Sequence, residues 1–550
     1  MRRAILVLSL VAALDARPQT FFSETLEIRV TNVDVIVTTK DGQPVPGLTR
    51  ADFEIYEDGV RKEISNFLEI RGDVSTQIRG EASIPEAAAV AEAQTDVRRR
   101  HILVFIDNSG LHPLARNAVL PHLQSFIEKN VRAGDSVTIA TWALSLKAET
   151  LARVDRLSLE DALKRLSLQT STSDRFSMRQ RYEQDLEDLI VSYQVLDQKP
   201  PFTAGMNITR NYGMQLVHHM RAKTEALKSL MAAFRGADGR KVLVLLTQAF
   251  STNPAEELFL HLDSVRERFA DGETANVYGD MRELEIASVV PEIAEIANSS
   301  GISLYPIDVG GKLSDLELPD ASVERRIGRE RGTLVANTMG PLLSGIADAT
   351  GGKALTGSSN WQLAFDTIAN DLTSYYSLGY RSEGEREDRL KKIEVRPKNR
   401  KYVVRARSAV VERTLASEMS DAVAANLFRE ASNNDLKIRV TAGDPSTSGD
   451  GMLVPITITI PTNALTLLPD GSDLTGRFSI FAAFMRNDGA VSKTAREEQQ
   501  FRFPAASLER RKEITVKLDV NADARTDGIS VGVMDDVSHA TGFASVKLTR

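Results

Sequence analysis

Three near-continuous apolar runs, each ending in a small polar loop, constrain this chain more than any other feature. They occupy residues 101–110 (HILVFIDNSG), 240–249 (RKVLVLLTQA) and 301–310 (GISLYPIDVG). A strand exposed to water on one face alternates apolar with polar residues. A strand that is apolar throughout is buried on both faces, as in a parallel sheet covered by helices. Helical patterns lie between the runs: Leu114, Val119, Leu123, Phe126 and Ile127 recur at near-helical spacing after the first, and residues 291–297 precede the third. The expected fold class is therefore α/β, a doubly wound and mostly parallel sheet over residues 100–372. Open sheets of this kind place their ligands at the carboxyl ends of the strands, which makes the three polar loops the first candidates for function.

At 550 residues the chain exceeds what one core supports, so several domains are expected. Residues 22–70 alternate as a small β unit, with turn dipeptides at Asp41-Gly42 and Asp58-Gly59. The change of phase across Thr31-Asn32 predicts a β-bulge, and Thr49 to Asp52 offers a local cap for one helical turn. Residues 71–99 lose periodicity and read as a linker. A charged, helix-forming insertion, 173–238, breaks near Lys199-Pro200-Pro201 and is expected to protrude. Residues 373–410 return to β structure as a hairpin expected to pack with the N-terminal unit. Residues 411–433 form a helical spacer, and 434–550 hold six alternating runs that predict an antiparallel, immunoglobulin-like sandwich.

Residues 1–16 carry Arg2-Arg3, a short apolar stretch and then small residues, the layout of a secretory signal peptide with cleavage after Ala13 or Ala16. Export to the periplasm, outer surface or exterior is expected, with no integral membrane span in the mature chain. The absence of cysteine rules out disulfides and thiolate metal sites, so each domain must rely on an ordinary core. A net charge of −7 spread over this length argues against a nucleic-acid partner, which calls for a concentrated basic face. There is no Gly-x-Ser-x-Gly elbow, no phosphate-binding Gly-x-x-x-x-Gly-Lys loop and no His-Glu-x-x-His pair. His218 and His219 are adjacent and so point about 100° apart on a helix, a poor arrangement for sharing a metal.

The loop Asp107-Asn108-Ser109-Gly110-Leu111 resembles the Asp-x-Ser-x-Ser metal loop of von Willebrand factor type A (VWA) domains, with Leu111 in place of the last serine. Thr247-Gln248-Ala249 stands where those domains carry Thr-Asp-Gly. The resemblance implies metal candidates Asp107, Ser109 and Thr170, the last from the run Thr170-Ser171-Thr172. A hard divalent cation needs about six oxygens and several negative charges, and this loop has lost one oxygen and one charge. Three readings stay open: Asp107 and Ser109 fix the loop or cap the next helix; they bind Mg2+ or Ca2+ weakly; or His112 joins them around another metal. Four stretches in order resemble the VWFA-related family of the acidobacterial type: residues 33–59, 104–109 (VFIDNS), 347–353 (ADATGGK) and 371–380 (DLTSYYSLGY). They cover about residues 25–410. The resemblance implies export, a VWA-like domain and a protein-binding role, with no established substrate, reaction or cofactor. The expected function is thus an exported, non-enzymatic binding or scaffold protein with a protein partner. The alternative is an enzyme or enzyme subunit with its site in the 173–238 insertion or an interdomain cleft.

Overall fold

The computed structural model describes residues 30–548, except 73, 77–99, 133, 144–145, 152–155, 169–173, 238, 249, 271–275, 310–338, 358–359, 383–387, 428–433, 449–450, 487–490 and 509. The expected signal peptide, most of the expected linker and Thr170 lie outside the described residues. The chain is a mixed α/β protein with one mixed sheet and several antiparallel ones.

Five strands open the described chain: β1 (Val30–Thr38), β2 (Phe53–Glu57), β3 (Val60–Lys62), β4 (Ile64–Arg71) and β5 (Val74–Thr76). Before β2, Thr49 and Asp52 form a capping box around a single 3-10 turn. The Thr49 N–H and hydroxyl donate to Asp52 Oδ2 at 2.7 and 2.8 Å.

The central sheet consists of β6 (Arg100–Asp107), β7 (Ser136–Trp142), β8 (Leu146–Leu151), β9 (Arg240–Thr247) and β10 (Ile302–Asp308). Their spatial order is β10-β9-β6-β7-β8, parallel except for β8, which runs antiparallel at one edge. Every residue of β6 and β9 is buried, as the apolar runs require. Alternation then divides the strand: Ile102, Val104 and Ile106 face one helical layer, while Leu103 and Phe105 face the other. The first layer contains α1 (Pro113–Asn130) and α2 (Arg156–Leu168). Helix α3 (Asp174–Gln194) leads through Pro200-Pro201 into α4 (Phe202–Ala233). Then follow α5 (Glu256–Ser264), α6 (Val277–Glu283), α7 (Val289–Ser300), a helical segment at 339–349 and α8 (Trp361–Thr373). Helix α8 joins the first layer through Phe365 and Ile368, with Phe365 stacked on Phe126 at 5.4 Å. Helix α4 supplies Leu227, Leu230 and Met231 to the second layer, beside Ile293 and Leu343.

The 173–238 segment is therefore not wholly an excursion. Helix α4 has 32 residues and is about 48 Å long at 1.5 Å per residue. Its first half joins α3 and α5 around a separate core of Tyr182, Phe202, Met206, Phe259 and Phe269, and its second half lies against the sheet. The break at Lys199-Pro200-Pro201 separates α3 from α4, and α4 then serves two cores in succession.

Gly301 ends α7 in the left-handed region, φ 66°, so the chain turns directly into β10. Gly352 permits a closer approach. A Cβ there would stand 1.8 Å from the Leu304 carbonyl oxygen, and neighbouring Thr350 accepts the Leu304 N–H at 3.1 Å. The glycine pair thus presses the end of the 339–349 helix onto β10.

After α8 come β11 (Ser374–Arg381), β12 (Leu390–Pro397), β13 (Val403–Ala406) and β14 (Ala409–Val411). These interleave with the N-terminal strands. β1 lies between β13 and β11, β11 pairs with β4, and β12 pairs with β2. Their shared core contains Val33, Val35, Phe53, Ile55, Leu378 and Ile393. The tyrosines of β11 fasten the two parts: Tyr376 donates to the Val45 carbonyl at 2.7 Å, and Tyr380 donates to Glu57 at 2.8 Å. The register irregularity falls between Gly379 and Tyr380, opposite β4. Pairing of β1 with β11 runs unbroken from Val30 to Val35, so the change of phase at Thr31-Asn32 is not a bulge in that ladder.

Helix α9 (Leu415–Ala425) is more than a spacer. Its Met419 and Val423 pack with Phe481, Ala483 and Met534 of the C-terminal region. On another side, a Cβ on Gly236 would stand 2.7 Å from the Ala422 backbone, so α9 touches the central domain too.

The remaining strands are β15 (Arg439–Ala442), β16 (Ser446–Ser448), β17 (Gly451–Pro461), β18 (Leu468–Asp470), β19 (Asp473–Arg486), β20 (Ala495–Pro504), β21 (Glu513–Asp523), β22 (Thr526–Asp535) and β23 (Thr541–Lys547). One antiparallel sheet is built on β17, paired with β15, β16 and β21; the other is built on β19 and β22, with β18, β20 and β23. Val454, Ile456 and Ile458 of the first share a core with Phe478, Ile480, Val531 and Val533 of the second. β20 is not among the six alternating runs, since its first half is the polar run Arg496-Glu-Glu-Gln-Gln500 and only Phe501 and Phe503 alternate at its end; its pairing with β19 brings it into the sheet. No described helix is long and apolar enough to cross a membrane.

Candidate functional site

The carboxyl ends of β6 and β9 bring Asp107 and Thr247 together, and helix α4 places Lys223 beside Asp107. Asp107 is fully buried. Its Oδ1 accepts from Ser109 Oγ at 2.9 Å and from the Gly110 N–H at 3.1 Å. Its Oδ2 accepts from Thr247 Oγ1 at 2.9 Å and from Lys223 Nζ at 2.6 Å. Four donors on two oxygens account for the approximately four lone-pair positions of a carboxylate. The Lys223 side chain is itself buried, 6% exposed, and its ammonium stands 5.0 Å from the centre of the Phe250 ring.

The rest of the loop is held as firmly. The Ser109 N–H donates to the Trp142 carbonyl at 3.0 Å, joining the loop to β7. Gln248 Oε1 accepts the His112 N–H at 3.0 Å. His112 Nδ1 accepts the Leu114 N–H at 3.3 Å, so this histidine is the N-cap of α1. Arg116, one turn into α1, donates to Asn108 Oδ1 at 2.6 Å and to the Ser167 carbonyl at 3.1 Å. Burial lowers the Arg116 pKa from its usual value. Leu111 is fully buried among Ile106, Ala115 and Val119. The position that holds a serine in the resembled loop here points its side chain into the core.

Two of the three sequence candidates, Asp107 and Ser109, therefore meet in one cluster, while Thr170 lies outside the described residues. Thr247 takes the hydroxyl role beside Asp107. Lys223 carried no local signal: it lies 116 residues from Asp107, in a segment whose charge suggested a solvated face. A resident divalent cation does not fit these residues as arranged. It would need the lone pairs now engaged by Lys223, Thr247, Ser109 and Gly110, and it would meet an ammonium beside Oδ2. Among the described residues, no three His, Asp or Glu side chains form a metal cluster.

In the described part of 173–238 outside Lys223, the principal buried polar pair is Tyr182 and Thr209, whose hydroxyls lie 3.1 Å apart. Tyr182 also donates to the Leu258 carbonyl at 2.8 Å, and burial pushes its pKa up to about 12. No family model matches this chain, and comparison with curated proteins gives no match.

Proposed function

We propose that this is an exported, multidomain and non-enzymatic binding or scaffold protein of the VWFA-related type, with a VWA-like central domain and an immunoglobulin-like C-terminal sandwich. Its adhesion loop is organised by an internal lysine instead of a metal, and it engages a protein partner without metal dependence. The observation that carries this reading is the saturated Asp107 carboxylate, with Lys223 at 2.6 Å supplying the positive charge. The sheet order β10-β9-β6-β7-β8 with one antiparallel edge supports the domain assignment, as do the paired C-terminal sheets with a common core.

The physical logic is substitution of one cation by another. A metal-dependent loop leaves a coordination position open for a partner's carboxylate. An ammonium buried against Asp107 and the Phe250 ring offers no such position, so recognition falls to the surrounding surface. The test is affinity capture from the native envelope with and without a chelator, combined with N-terminal sequencing of the recovered chain. Equal capture of the same partner in both conditions, by a chain lacking residues 1–13 or 1–16, is expected. Capture that disappears with the chelator, or intact Met1 in a cytosolic fraction, overturns the reading.

A further inference from the structure

A cleft of about 800 Å³ opens at the opposite, amino end of the central sheet, where β1, β9, the α7–β10 turn, α9 and the β22–β23 turn meet. Five cations line it: Arg235, Arg240, Lys241, Arg407 and Arg413. Three carboxylates answer them: Asp34, Glu418 and Asp421. The described lining therefore carries an excess of two positive charges at neutral pH. The carbonyl end of α7 adds roughly half a negative charge, too little to cancel that excess.

The carboxylates are unevenly shared. Asp34 pairs with Arg240 at 3.0 Å, and Asp421 pairs with Arg235 at 3.1 Å. Arg407 donates only to a neutral acceptor, the Asn32 carbonyl, and forms no ion pair among the described residues. Among the described residues its Nε has no hydrogen-bond partner, nor has the hydroxyl of Ser300, a residue only 1% exposed. Arg407 and Lys241 also converge. A Cβ on Gly301 would lie 3.4 Å from Arg407 Nη1 and 3.7 Å from Lys241 Nζ. Lys241 Nζ also donates to the Ala237 carbonyl at 2.6 Å, which fixes its ammonium beside the glycine. Two cations held this near one another favour an anion between them. An unspent buried hydroxyl and guanidinium N–H in the same wall are unusual, because buried donors are ordinarily paired. Burial lowers the pKa of Arg407, with Asp34 and Tyr380 acting in the opposite direction.

We propose that this cleft binds a compact dianion, of the phosphate or phosphate-monoester type, through Arg407, Lys241 and the hydroxyl of Ser300. Arginine suits a tetrahedral oxyanion because its planar fork presents parallel N–H donors. Ser300 lines the same cleft, and its hydroxyl has no hydrogen-bond partner among the described residues that the ligand would displace. The anion would also tie together parts of the chain that meet at this cleft: the central sheet, the N-terminal β unit and the C-terminal sheets.

Calorimetric titration of the full mature chain with inorganic phosphate, phenyl phosphate and succinate, at constant ionic strength, tests this. Saturable binding of at least one phosphate species is expected, with a rise in Tm that sodium chloride does not reproduce. Arg407→Gln is expected to weaken binding by about tenfold or more, since it removes a charge-assisted hydrogen bond. Because Arg407 lies between packed parts and its loss could unfold the chain, Ser300→Ala is the companion variant. Its hydroxyl has no partner to lose, so it should fold normally yet bind about threefold to tenfold more weakly. No saturable binding up to about 10 mM of any of the three ligands, the weak end of the affinity scale, overturns the proposal. So does phosphate binding unchanged in both variants, or binding of succinate alone.

Discussion

Lys223 Nζ stands 2.6 Å from Asp107 Oδ2, joining the second half of α4 to the end of β6, with both side chains buried. The bond decides the character of the loop. A carboxylate that in isolation invites a metal is neutralised from within the chain, and the loop becomes a structural joint between α4 and β6.

Removing the lysine charge should therefore be costly. Lys223→Met leaves Asp107 charged and buried, and a loss of about 3–5 kcal/mol in urea unfolding is expected. Adding Asp107→Asn should recover part of that loss, because the double variant contains no unpaired charge. If the two substitutions simply add, the coupling between the residues is absent.

Leu111 should behave as a core residue. Leu111→Ser restores the missing hydroxyl of the resembled loop but removes an apolar side chain packed against Ile106 and Val119. A cost of about 2–5 kcal/mol is expected from lost burial and the cavity left behind. Titration of Mg2+ and Ca2+ into the wild type and this variant should give dissociation constants of about 10⁻³ M or weaker in both. Micromolar binding by either protein would contradict the lysine-for-metal substitution.

Gly352 should tolerate no side chain. Gly352→Ala places a Cβ 1.8 Å from a backbone oxygen of β10, and no rotamer change relieves a clash with backbone. The variant should be recovered mostly insoluble or with a sharply lowered Tm. Gly357→Ala is not a matched control, because its φ of 66° is itself strained for alanine. The better comparison is Gly345→Ala, where the nearest atom stands 3.6 Å away. Equal Tm values for the 352 and 345 variants would contradict the close approach.

Deleting residues 30–71 removes both neighbours of β11, namely β1 and β4, together with the acceptors of Tyr376 and Tyr380. The exposed β11 edge follows directly from α8, which packs on the central sheet. The deletion should lower the unfolding temperature of the central domain and promote aggregation through unpaired strand edges. Unchanged calorimetric unfolding would show that the two regions are energetically separate.

Asp388 supplies a pH dependence of definite sign. Burial would raise its pKa, but hydrogen bonds from Ser417 and Thr414 outweigh this and hold it below the usual carboxylate range. A folded pKa below the unfolded value favours folding above about pH 4, and the contribution fades as pH falls through the folded value. Asp388→Asn keeps a residue that accepts the local φ of 53°. Wild type should exceed the variant in stability near neutrality, and the difference should shrink toward about pH 2. A difference that grows on acidification would reverse the assignment.

The apolar runs at 101–110, 240–249 and 301–310 were sufficient to place three central strands, because a strand buried on both faces leaves an unmixed apolar signature. The alternating runs of β17 and β21 declared their strands for a related reason: one face of each is packed and the other is more exposed. β22 is buried on both faces, because α9 covers the side that carries Met534. Thr49 and Asp52 formed their cap because that interaction lies within four residues. What local pattern could not carry is the pairing of distant groups. β20 has a polar first half with no alternating apolar face, and its place in the sheet comes from its pairing with β19. Leu111 is a missing ligand in the loop motif and a core side chain in space. Lys223 is one charge among many on a helix until the turn of α4 brings it across 116 residues to Asp107. Burial and charge compensation are properties of what surrounds a residue, and those surroundings exist only once the chain has closed on itself.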